Sequence, residues 1–145
     1  KSQWPIAVGP SLTPNVTIKT DFRSKENYFD NYTGGVMVMP RKYGGLCLPQ
    51  QEAIASSMPV ITTDISPNNT WLPNEWLVPA NLAGSFQCKR AVEYYEADPV
   101  ALAAKIDEFC DENFYYAAVS KAIDIKEAIS WDSLLPLYYK TFYDL

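Results

Sequence analysis

The stretch from Val36 to Asp64 constrains this chain more than any other. Val36-Met37-Val38-Met39 is apolar on both faces, as expected of a parallel strand covered on both sides. A glycine-bearing loop follows, Tyr43-Gly44-Gly45-Leu46-Cys47-Leu48, and then Pro49, a start signal for a helix. Gln50 to Ser57 reads as that helix, and Pro59-Val60-Ile61-Thr62-Thr63-Asp64 as the next strand. Strand, crossover helix and strand within about 30 residues make a βαβ unit, whose two strands must be parallel.

The remaining segments fit around that unit. Ile6-Ala7-Val8-Gly9 and the β-branched Asn15 to Thr20 read as strands, and Ser24 to Tyr32 as a short helix with Ser24 as cap. Ser66 to Asn74 reads as loop, and Glu75-Trp76-Leu77-Val78-Pro79 as a short extended segment. From Asp98 the pattern turns helical. Asp98-Pro99 is an N-cap followed by proline, and Leu102, Ile106, Phe109 and Cys110 recur at helix spacing. A second helix spans roughly Glu112 to Ile129. A third runs from Trp131 to about Tyr143, with Leu134, Leu135, Tyr138 and Phe142 expected to face inward. The tyrosine pairs Tyr94-Tyr95, Tyr115-Tyr116 and Tyr138-Tyr139 are read at helical spacing, one ring of each buried and one exposed. The expected fold is α/β: a Rossmann-like parallel sheet flanked by helices over about residues 1–97, and a helical C-terminal third over 98–145, in a single domain.

Composition narrows the function classes. The chain has 145 residues, 48% of them apolar and 20% charged, enough for a real core. A net charge of −5 gives no general attraction to nucleic acid or anionic lipid, and no apolar run is long enough for a membrane span. There is no histidine, which excludes histidine bases, triads and histidine-ligated metals. No carboxylate cluster suggests a metal site either, so none is assigned. Cys47, Cys88 and Cys110 lie far apart with no C-x-x-C and read as reduced thiols of a cytoplasmic protein. Glycosylation-type triplets at Asn15, Asn31 and Asn68 are short enough to arise by chance.

The chemistry is concentrated after Met39. In an open parallel sheet, ligands bind beyond the carboxyl ends of the strands, and the glycines begin where this strand ends. Gly44 and Gly45 let backbone approach a ligand closely. The amides of Leu46, Cys47 and Leu48, just ahead of a helix, offer free N–H groups and the positive end of its dipole. That is a phosphate cradle requiring no net positive charge. Glu52, read in the first turn, is a carboxylate able to accept from two neighbouring ribose hydroxyls.

These residues carry a family likeness. Pro40-Arg41-Lys42-Tyr43-Gly44-Gly45-Leu46-Cys47-Leu48-Pro49-Gln50-Gln51-Glu52-Ala53, followed by Met58 to Asp64, resembles the donor-binding half of GT-B glycosyltransferases, in particular the retaining, family-4-like group. Ile129-Ser130-Trp131-Asp132 looks like the Ser-Trp segment that closes such domains. The resemblance implies that the loop amides of residues Gly44, Gly45, Leu46, Cys47 and Leu48 hold the diphosphate of a nucleotide-sugar donor. It implies that Glu52 binds the ribose, as the second of a paired glutamate motif. Gly44 stands where the first glutamate, which contacts the transferred sugar, would be. Arg41 and Lys42 are the candidate phosphate-facing charges. No cofactor beyond the donor substrate is implied. The resemblance implies an incomplete donor half, whose acceptor and catalytic groups would come from another domain or chain, and no catalytic residue is assigned. The alternative expectation is a catalytically degenerate domain serving as a structural or protein-interaction module. A dinucleotide-dependent oxidoreductase is disfavoured, since no G-x-G-x-x-G follows a first strand.

Overall fold

The computed structural model describes residues 34–143. The expected strands at Ile6–Gly9 and Asn15–Thr20 and the helix from Ser24 lie outside these residues. Within them the βαβ unit is present. Strand β1 (Met37–Met39) leads to helix α1 (Leu48–Ala55) and returns as β2 (Val60–Thr63). β1 and β2 pair in parallel with Met37 opposite Val60 and Met39 opposite Thr62. A third strand, β3 (Leu77–Val78), pairs in parallel on the other side of β2, giving the order β1-β2-β3. The central strand, Val60-Ile61-Thr62-Thr63, is buried at all four positions, which is why its sequence shows no in–out alternation.

The crossing from β2 to β3 is more ordered than a loop. A single helical turn, α2 (Asn68–Trp71), and a 3₁₀ turn (Asn74–Trp76) fill it. Pro67 and Pro73 stand immediately before these turns, where the missing proline N–H is no loss. The 3₁₀ turn ends on Trp76, the largest fully buried side chain among the described residues.

The three predicted C-terminal helices form. α3 (Pro99–Glu108) starts where expected, with the Asp98 carboxylate accepting from the amides of Val100 and Ala101. α4 (Glu112–Ala128) is capped the same way by Asp111, which accepts from Phe114 N–H at 2.9 Å. α4 packs against α1, and its buried residues, Ala118 and Ala122, are small and one turn apart, so the two backbones approach closely. Ala53, Ile54, Val60, Ile61, Trp76 and Val78 complete a core between sheet and helices.

β1 lies at the edge of the sheet with Val38 exposed, so the cover on both sides expected of its apolar run is not found. Two further expectations fail. Residues 80–97 form an antiparallel hairpin, β4 (Ala80–Gln87) and β5 (Ala91–Ala97), so Tyr94-Tyr95 lies on a strand and not at helical spacing. The register shifts between Leu82 and Gly84, which breaks the alternation by which a strand is recognised. Gly84 sits at φ +155° with an added Cβ meeting the Tyr94 ring at 3.0 Å, so the bulge depends on glycine. The turn at Cys88-Lys89-Arg90 carries no Asn-Gly or Asp-Gly signal. The second failure is α5 (Trp131–Tyr143): it exists, but contains no buried residue, so the inward face expected for Leu134, Leu135, Tyr138 and Phe142 is not inward. Amphipathic spacing names a face that needs covering, and here the described residues do not cover it.

The hairpin carries one titration with a clear sign. The Tyr95 hydroxyl donates to Glu93 Oε2 at 2.9 Å, and this bond, then the carboxylate's charge, then desolvation, raise the phenol above its ordinary pKa. The folded state therefore favours the protonated phenol. Its contribution is present below the unfolded pKa of Tyr95 and lost as pH rises through the raised folded value. In an alkaline NMR titration of the ring Cζ shift, Glu93→Gln should make Tyr95 ionise at lower pH than in the parent. An unchanged midpoint would show that Glu93 does not hold the proton.

Candidate functional site

The loop after β1 is held from three directions. From β2, the Thr63 hydroxyl donates to the Arg41 carbonyl at 2.7 Å and the Thr62 hydroxyl donates to the Met39 carbonyl at 2.9 Å. From the hairpin, the Tyr95 amide donates to the Lys42 carbonyl, the Lys42 ammonium meets Glu96 Oε1 at 3.1 Å, and the Tyr43 and Phe86 rings pack edge-on. From within, Arg41 Nη1 donates to the Gly45 carbonyl at 2.7 Å, placing the guanidinium against the glycines. Arg41 and Lys42, adjacent in sequence, thus point to different partners, one to the loop and one to the hairpin.

Behind the loop lies a polar cluster that sequence reading did not single out. Gln50, Thr62, Thr63 and Asn68 are all buried. Gln50 Nε2 donates to Thr62 Oγ1 at 2.8 Å and Asn68 Nδ2 donates to the same atom at 3.2 Å. With its own proton on Met39, the Thr62 hydroxyl has its one donor and both lone pairs occupied. Asn68 Nδ2 also donates to the Thr63 carbonyl at 3.1 Å. Gln50 Oε1 and Asn68 Oδ1 have no hydrogen-bond partner among the described residues. The sequence signal was present but faint: two threonines in an otherwise apolar strand and a glutamine just inside a helix. The same burial takes Asn68 out of reach as a glycosylation acceptor. Asp64 accepts from Asn69 Nδ2 at 2.9 Å, a side-chain bond to the following turn.

The expected site residues are placed as follows. Gly44, Gly45, Leu46 and Leu48 are exposed, and Cys47 is buried with its sulfur 3.6 Å from that of Met39, as a small apolar filler. α1 begins at Leu48 with Pro49 second, and Cys47 makes no side-chain cap. The first bond of the helix is Gln51 N–H to the Cys47 carbonyl, 3.2 Å, which leaves the amides of Leu48 and Gln50 outside the helix's own ladder. Glu52 is half-buried and opens the second turn; the first turn of α1 has no acidic residue, contrary to expectation.

Gly44 is glycine for a reason of space. A Cβ there would lie 2.2 Å from the Ser66 carbonyl oxygen. No L side chain, glutamate included, fits that position without moving the backbone of one of the two loops. Gly45, at φ +132°, has only the Arg41 guanidinium near.

Two cavities lie away from this loop. One of about 220 Å³ is lined by Glu75, Trp76, Phe114, Ala117, Ala118 and Lys121, with a Glu75–Lys121 ion pair among its lining residues. Trp76 Nε1 is buried without a partner among the described residues. Another of about 290 Å³ lies on α5. Among the described residues no group of three or more histidine, cysteine or acidic side chains could hold a metal, and no helix is long and apolar enough to cross a membrane. Comparison of the chain with protein-family models, with curated proteins and with solved structures finds no match.

Two substitutions test this construction. Thr62→Val conserves volume but strands Gln50 Nε2 and the Met39 carbonyl, so urea denaturation should show a loss of about 2–4 kcal/mol; a loss under about 1 kcal/mol would mean the cluster is not a structural junction. Gly44→Ala should destabilise by roughly 1–3 kcal/mol through overpacking against Ser66. A neutral result there would show that the two loops are not in contact in solution.

Proposed function

We propose that this chain is the donor-binding part of a retaining glycosyltransferase, in which the loop of Gly44, Gly45, Leu46, Cys47 and Leu48 seats the diphosphate of a nucleotide sugar. The observation that carries the reading is the Arg41 guanidinium lying against Gly45, beside a helix start that no side chain caps, at the carboxyl edge of a parallel sheet. A positive charge and amides outside the helix's own ladder converge there. Both would gain interaction as charge develops on a departing diphosphate. Glu52, near the start of the same helix, is the proposed ribose contact. In this reading Lys42 is not given a phosphate role, because its ammonium meets Glu96. The acceptor and any further catalytic group would come from another domain or chain.

One observation favours a second reading, a GT-B-like domain kept as an interaction module. The close approach of Gly44 to Ser66 closes the position from which the family's sugar-contacting carboxylate would project.

Calorimetric titration with UDP, GDP and their sugars separates the two. The donor reading expects binding, weakened about tenfold by Arg41→Ala, the loss of a charge-assisted contact of roughly 1.5 kcal/mol, and unchanged by Lys42→Ala. Absence of heat with every nucleotide at millimolar concentration would leave the module as the better account.

A further inference from the structure

The last helix presents an apolar stripe with no cover among the described residues. Trp131, Leu135, Tyr138 and Phe142 recur at intervals of four, three and four, the a/d seam of a helix pair. Their exposures run from 46% at Leu135 to 69% at Trp131, and Tyr139 and Tyr143 beside them are more than half exposed. The rings are already ordered against each other: Trp131 to Tyr138 at 5.7 Å, Tyr138 stacked on Phe142 at 6.0 Å, and Tyr139 to Tyr143 at 5.5 Å. Together these residues line the groove of about 290 Å³.

The size of the patch is informative. At ~150–250 Å² for a whole aromatic side chain, the exposed fractions sum to roughly 700 Å². That exceeds the ~300–600 Å² of the largest patch on an ordinary monomer. It approaches the ~800 Å² each partner contributes to a standard interface.

The pattern also says what fits it. Intervals of four, three and four read the same in both directions. An antiparallel copy of α5 therefore sets Trp131 opposite Phe142 and Leu135 opposite Tyr138, with Asp132 and Tyr139 along one flank of the seam and Leu134 and Thr141 along the other. The charges agree with this orientation. Asp132 would lie beside the uncharged Tyr139 of the copy, and Lys140 falls on the far side of the helix from the stripe. Two antiparallel helices also oppose their dipoles. A two-fold axis through the midpoint of the stripe makes the contact isologous and closed.

We propose that α5 is a dimerisation helix, pairing antiparallel with α5 of a second copy of this chain through Trp131, Leu135, Tyr138 and Phe142. The proposal is independent of the nucleotide-sugar reading, since α5 carries none of the residues assigned to the donor.

Sedimentation velocity of the full chain across the micromolar range should show a species of twice the chain mass. Tyr138→Lys and, separately, Leu135→Asp should each weaken the dimer at least about tenfold, that is by 1.4 kcal/mol or more, with any loss of far-UV helical signal no larger than the 13 residues of α5. Orientation is read by disulfide trapping in a Cys88→Ser, Cys110→Ser background. A mixture of Trp131→Cys and Phe142→Cys chains should cross-link as the mixed pair in preference to either like pair. A parent chain that stays monomeric, as it would if a different domain or protein covers α5, overturns the proposal. So does a dimer that both charged variants leave intact, or trapping dominated by like pairs.

Discussion

The architecture around the candidate site turns on one hydroxyl. Thr62 Oγ1 gives its proton to the Met39 carbonyl and takes protons from Gln50 and Asn68. That single atom joins the end of β1, the middle of the sheet, the first turn of α1 and the start of α2. A buried hydroxyl with all its bonding capacity used is rigid, because any displacement strands a partner in a medium that offers no water. Thr63 extends the stitching to the Arg41 carbonyl, two residues beyond the last paired residue of β1. The loop that follows therefore leaves the sheet in a defined direction, although its own residues are exposed.

From that fixed departure the rest of the loop follows. Arg41 is positioned to fold its guanidinium back onto Gly45, while Lys42 and Tyr43 turn to the hairpin. Gly44 then passes so close to the Ser66 carbonyl that only a hydrogen atom fits between. The same contact shapes both functional readings. It brings backbone to the helix start, where an anion could be held. It also leaves no room for the carboxylate that the donor reading would expect there.

Burial is distributed unevenly over the chain. The core is drawn from α1, β2, β3, the turn ending at Trp76, the end of α3 at Phe109, and the alanine stripe of α4. The hairpin and α5 stand outside it with large apolar side chains exposed. A helix that buries nothing gains little from its own propensity, since a short isolated helix is marginal in water. The heptad-like spacing on α5 is thus a sign that its stabilising contacts are made with something beyond the described residues.

The sequence by itself determined the βαβ unit, the cap at Asp98 and the three late helices, because these rest on local rules. A both-face apolar run, a proline near a helix start and an aspartate before an N-terminal turn act within a few residues. It also located the glycine loop at the strand's carboxyl end. What it could not decide was anything that depends on a distant neighbour. The hairpin escaped notice because its bulge is set by the Tyr94 ring packing on Gly84. The polar junction at Thr62 escaped because its partners lie 6, 12 and 23 positions away. The meaning of Gly44 depended on Ser66, and the exposure of α5 on what surrounds it. Local spacing states which face of an element is apolar; only the packed chain settles whether that face, or a buried hydroxyl, finds a partner.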